Sequence, residues 1–157
     1  MTLADVIQII ASVVGALGFA VLFNVRGVKK LLAVSLGGGF GRAQFLLLCL
    51  GIDSKVLCHF IVAMTVSFYA ELMARVLKSP ATVFIAPCLI PMMPGASLYY
   101  TMANALGENV EGFLEKGLAT LQNATALAVG IIVATVVMRL LLKVVPLLKK
   151  RRGAHGA

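Results

Sequence analysis

A chain of 157 residues is long enough for an ordinary domain, but only 13% of it is charged and 61% is hydrophobic. That charge density cannot cover a water-soluble globule of this size. The apolar residues come in long runs and the mean hydropathy is +1.01, so the chain reads as an all-α integral membrane protein.

Five spans are predicted, at Leu3–Phe23, Leu31–Leu50, Val56–Leu77, Thr82–Leu106 and Leu118–Val145. Each has about the 20 residues that cross a ~30 Å hydrocarbon core. The first run has an acid, Asp5, and no Lys or Arg before Gln8, so it is expected as a permanent span rather than a signal peptide. Residues 1–148 then form one transmembrane helical domain, followed by a basic cytoplasmic tail at 149–157. The connections alternate in charge. Arg26, Lys29 and Lys30 mark the first, Asp53 and Lys55 the second, Arg75 and Lys78 the third, and Glu108, Glu111, Glu115 and Lys116 the fourth. Basic residues stay on the cytoplasmic side of short loops, which puts the N-terminus outside and the C-terminus inside. The net charge of +8 therefore does not indicate nucleic acid. The run Lys149–Arg152 is expected to anchor on the anionic inner leaflet. Outside, Gly107–Gly117 has Val110, Phe113 and Leu114 at helical spacing and is expected as a short helix on the membrane surface.

Small residues mark close helix contacts in lipid. Ser12, Ala16, Ala20 and Asn24 recur in span one, and Ala126, Gly130 and Ala134 in span five. In span two, Ser35, Gly38, Gly39 and Arg42 share a face within the run GGGFG. Gly37, Gly38, Gly39 and Gly41 each weaken a helix by roughly 1 kcal/mol, so either another backbone comes very close or the helix unwinds around a cavity. Cys49, Cys58 and Cys88 have no ligand-type spacing and are read as small buried hydrophobes; no metal or other cofactor is expected.

Polar groups at depth carry the functional reading. Arg42 lies about 16 Å from the inner edge and Glu71 about 10 Å, at 1.5 Å per residue. An intramembrane charge faces the bundle interior and meets a partner. An Arg42–Glu71 ion pair, a Glu71–Arg75 pair one turn apart, and an Arg42 that holds a substrate carboxylate through its two-pronged guanidinium all fit. His59, Ala63, Ser67 and Glu71 form an i, i+4 row on span three. His59 and Glu71 are candidates for a coupling proton, although an interfacial His59 fits as well.

The fourth span reads PCLIPMMP from Pro87 to Pro94. Each proline removes an N–H and drives the residue before it out of helical geometry, so this span is predicted to break near mid-depth. Pro94 favours a new helix start, whose amides at Gly95, Ala96 and Ser97 would face an anion. Tyr99, Tyr100, Thr101 and Asn104 follow as candidates to line the outward path. A proline-kinked helix without ligand is the structural alternative. No Walker-type loop, H-E-x-x-H motif or nucleophile–base set is present, so neither ATP use nor an enzyme is expected.

GFAVLFNV at the end of span one, the glycine-rich stretch before Arg42, and IPMMPGASLYY in span four resemble the small membrane subunit of the threonine/serine exporter family, of the YjjB type. Its most specific part is Pro91, Met92, Pro94, Gly95 and Ser97, followed by Tyr99 and Tyr100. The resemblance implies export of threonine/serine or a short dicarboxylate such as succinate across a bacterial plasma membrane. It also implies a larger membrane subunit as partner, with a homo-oligomer as the other possibility. It supplies no catalytic residues. The substrate contacts proposed from the residues themselves are Arg42, Glu71, Pro94, Gly95, Ala96, Ser97, Tyr99 and Tyr100. The competing expectation is a structural subunit that completes a partner's pathway without transporting.

Overall fold

The computed structural model describes residues 3–154, with side chains through Lys143. All regular structure among them is helical: α1 (Leu3–Leu22), α2 (Val28–Gly51), α3 (Lys55–Val76), α4 (Thr82–Leu89), a short 3₁₀ turn (Ile90–Met92), α5 (Gly95–Leu106) and α6 (Val110–Ala154). Helices α1, α2, α3 and the stretch Val110–Lys143 of α6 are each long and apolar enough to cross a membrane. The α4–α5 pair, bent by 56° at its break, makes a fifth crossing if its two halves are one span.

The predicted spans lie within these elements to within a few residues, with one correction. Gly107–Gly117 is not a separate surface helix. Asn109 caps α6 by accepting from the Gly112 N–H at 3.0 Å, and the helix continues from there without interruption. The helical spacing of Val110, Phe113 and Leu114 is real, but the cap makes them the first turns of the long helix. Up to Ala154 the predicted basic tail continues α6; its side chains and residues 155–157 lie outside the described residues.

Three corners share one device. Asn24, Lys78 and Glu108 have φ of 55°, 49° and 55°. At each, the next residue's N–H reaches back to the helix: Val25 to Ala20, Ser79 to Ala74, Asn109 to Asn104. These are left-handed caps of the kind glycine usually fills; Asn tolerates the conformation, Lys and Glu at some cost.

Packing follows the rules of a lipid solvent. α1 buries Ser12, Ala16 and Ala20 and exposes Leu3, Ile7, Ile10, Val14 and Val21. Small residues sit inside and large ones outside because contact, not burial, holds helices together in a bilayer. α1 and α2 run antiparallel. A Cβ added to Gly38 would stand 2.5 Å from the Ala16 Cβ, and one on Gly39 2.4 Å from Val13. α2 is helical throughout, so its glycines serve close approach and not unwinding. Those on its other side admit α3 and α4: Gly37 meets Tyr69 and Cys88, and Gly41 meets Val66, Val62 and Met92. Tyr69 fixes the depth by donating its hydroxyl to the Ala33 carbonyl at 2.9 Å. α6 runs parallel to α3. Val56, Leu57 and Phe60 lie beside Gln122, Thr125 and Ala126, and Gly130 sits against Ala63 and the Phe60 carbonyl. The small-residue rows of spans one and five are therefore packing faces. Cys58 and Cys88 are buried as expected, whereas Cys49 is exposed near the end of α2.

These directions sort the charges. Arg26, Lys29, Lys30, Arg75, Lys78, Arg139 and Lys143 fall at one end of the bundle, with Glu71; Asp5, Asp53, Glu108, Glu111 and Glu115 fall at the other, with Lys55 and Lys116.

Candidate functional site

The prolines do what their chemistry demands. Pro87 is tolerated inside α4, but Pro91 and Pro94 lie too close together for the helix to recover. Met93 becomes extended, with φ −61° and ψ 141°, as the residue before a proline prefers. α5 then restarts with Pro94 as its cap residue. The Gly95 N–H turns back to the Met93 carbonyl at 2.8 Å, and the Leu98 N–H bonds Pro94 at 3.1 Å. Among the described residues, the Ala96 and Ser97 N–H groups have no backbone acceptor. Of the three amides predicted to face an anion, two remain open and Gly95 is already used.

The break lies where the glycines of α2 admit it. Gly41, next to Arg42, stands against Met92, and the 3₁₀ turn also packs on α1. Arg42 itself faces α1. Its Nη2 donates to Gln8 Oε1 at 2.5 Å, and its Cζ lies 5.5 Å from the Phe45 ring centroid. The Phe45 ring in turn meets the His59 ring edge-on at 4.7 Å. So the residue next to Arg42 on α2 touches the 3₁₀ turn at the break, while the restarted helix α5 leans on α6.

The Arg42–Glu71 pair does not form. Glu71 is buried and pairs instead with Arg75 one turn on, at 3.7 Å. Arg42 lies at the level of Val62 and Val66, so Glu71 stands roughly 10 Å further along α3. Glu71 and Glu115 are held by Arg75 and Lys116, so neither of these acids meets Arg42. The row from His59 to Glu71 is not joined by side-chain hydrogen bonds. His59 is buried with Nδ1 on the Lys55 carbonyl, and the Ser67 hydroxyl between them has no hydrogen-bond partner.

Tyr99 and Tyr100 contact each other edge-on at 5.5 Å. They are 69% and 57% exposed, so they line no path inside this chain. Thr101 is turned inward. Its hydroxyl bonds the Ser97 carbonyl at 2.7 Å and meets the Thr120 hydroxyl at 3.5 Å. Sequence reasoning missed Gln8, the neutral partner of Arg42, and the Thr65–Gln44 bond of 2.6 Å between α2 and α3. It also passed over Asn123, buried on α6 with an unpartnered Oδ1. The available signal was a lone carboxamide within an otherwise apolar or small-residue face.

No solved structure matches this chain. A family model for the threonine/serine exporter, ThrE, matches residues 8–137, from the Gln8 that holds Arg42 through both halves of the broken span and far into α6. With most of its length accounted for by that match, this multi-pass membrane protein belongs to the threonine/serine exporter family.

Proposed function

We propose that this chain is a subunit of a secondary exporter that moves small carboxylate-bearing metabolites, threonine/serine or a C4-dicarboxylate such as succinate, across the bacterial plasma membrane. Its N-terminus lies outside and its C-terminus inside, because the basic end of the bundle belongs on the cytoplasmic side. The observation that carries the reading is a juxtaposition. Two open amides at the restart of α5 and the Arg42 guanidinium both suit negative charge, and the contact of Gly41 with Met92 brings α2 next to the break that precedes those amides.

The partner of Arg42 matters here. The bond that Arg42 makes to the Gln8 carboxamide is to a neutral group. An incoming carboxylate displaces a neutral hydrogen bond and gains a charge-assisted one. The Ala96 and Ser97 amides receive its second oxygen at a helix N-terminus, where the peptide dipoles favour an anion. Arg75 holds Glu71 away from this level, so Glu71 acts, if on a proton, at the cytoplasmic end of the path. His59 is packed against the ring that covers Arg42, a position from which its protonation state alters the field at the site.

The partner we assign is the larger membrane subunit of the same family. It meets the side of α5 that carries Tyr99 and Tyr100 and closes the pathway there. The exposed side of α5 also favours a second reading, in which the chain only completes a pathway that its partner owns. Substrate crosslinks confined to the larger subunit would support that alternative.

Arg42→Ala is expected to abolish export while membrane insertion and yield stay normal, and Arg42→Lys to restore only a small part of it, since a lysine lacks the planar fork. Efflux of labelled threonine, serine or succinate from proteoliposomes measures this. Undiminished export by Arg42→Ala removes the assigned role.

A further inference from the structure

Asn123 is 7% exposed and its Oδ1 has no hydrogen-bond partner. Among the described residues, the only other buried side-chain oxygen in that state is the Ser67 hydroxyl. A buried carboxamide oxygen without a donor costs the fold stability that an alanine or leucine there would not. It therefore calls for a partner from elsewhere.

The register of α5 on α6 says what lies beside it. The two helices are antiparallel. The Thr101 and Thr120 hydroxyls stand 3.5 Å apart, and a Cβ on Gly117 would meet the Thr101 methyl at 3.4 Å. One turn onward from Thr120 is Asn123; one turn back from Thr101 is Ser97. The buried acceptor thus lies across from the first turn of α5, where the Ala96 and Ser97 amides lack an acceptor. No hydrogen bond joins these donors to that acceptor. A ligand with both an anionic and a donating group would satisfy all three.

We propose that Asn123 is a substrate-binding residue, whose carboxamide oxygen receives the ammonium group of an α-amino acid whose carboxylate lies at the restart of α5. This rests on the break being the carboxylate site. It assigns the amino group to a neutral acceptor on α6 and not to Glu71, which stands at another level and is held by Arg75. A neutral acceptor has a further merit, because it binds the ammonium without adding a fixed negative charge to the site.

The test compares two ligands that differ by the ammonium alone, L-threonine and 3-hydroxybutyrate. They compete against labelled threonine efflux by the assembled exporter. The wild type is expected to prefer threonine. Asn123→Ala should weaken threonine about 10- to 100-fold, the range for a hydrogen bond to a charged group, and change 3-hydroxybutyrate less than about threefold on the same scale. Asn123→Asp, a stronger acceptor, should keep the preference. Equal weakening of both ligands, an unchanged ratio, or a wild type that does not carry threonine overturns the assignment. Should the alanine variant fail to accumulate, Asn123→Ser decides by the same ratio. Full export by Arg42→Ala sinks the carboxylate site itself. Export lost in Arg42→Ala, with the Asn123→Ala ratio unchanged, sinks this inference alone.

Discussion

α4 buries Phe84, Pro87, Cys88 and Leu89 between α1, α2 and α3, whereas α5, its continuation past the break, buries Thr101 and leans chiefly on α6. The first half is fixed by Gly37, which lets α2 close on Cys88, and by the Cys88 thiol on the Val34 carbonyl at 3.4 Å. The second half keeps Leu98, Met102 and Leu106 outside, the last 85% exposed. One span thus joins an anchored segment to an arm held by a single neighbour. An element with so few partners opens at lower free energy than the core it extends from, and the unpaired amides lie at the joint between the two.

The sharpest way to break this contrast is to fill one glycine on each side of the joint. A Cβ at Gly37 would meet Cys88 Sγ at 2.6 Å and the Tyr69 ring at 2.8 Å, whereas one at Gly95 meets nothing within 4 Å. Gly37→Leu is expected to cost about 1–3 kcal/mol or prevent accumulation. Gly95→Ala should stay within roughly 0.5 kcal/mol. Thermal unfolding in detergent measures both, and equal damage from the two would erase the distinction.

A smaller effect comes from the corners that flank the span. Lys78→Gly relieves a left-handed lysine before α4 and should stabilise the whole bundle by about 0.5–1 kcal/mol. Glu108→Gly relieves the matching strain after α5, but its gain should appear mainly as slower hydrogen exchange in α5. A global shift from Glu108→Gly as large as that from Lys78→Gly would show that the arm is no looser than the core. Smallest of all, Thr101→Val removes the inward hydroxyl of α5 and should cost about 0.6 kcal/mol, the mean for such bonds between membrane helices, with faster exchange confined to α5 and the start of α6.

Much of the fold was legible because the bilayer leaves few options. Long apolar runs had to be helices, and Pro91 and Pro94, three residues apart, could not both lie within one. Arg42 stood out for the same reason, but its partner did not. Gln8 carries no charge and sits near the start of α1, so only the α1–α2 register brings the two together. The corners were hidden because Lys78 and Glu108 adopt a conformation that their residue types advertise poorly. The start of α6 was misread because the Asn109 cap makes Val110, Phe113 and Leu114 the first turns of the long helix. Asn123 escaped notice because a single carboxamide has meaning only once the Thr101–Thr120 contact sets its neighbour.

The directions of the helices have one more consequence. α1, α3 and α6 point the same way and the other two crossings oppose them, so Leu3 and Lys143 sit at opposite faces. With the α4–α5 pair counted as one span, the number of passages is odd and the unit has a polarity. Joined by a short connector to a like unit, it would force its follower into the bilayer upside down, and the pair would share a twofold axis in the membrane plane, the symmetry that lets a pump present one cleft to either side in turn.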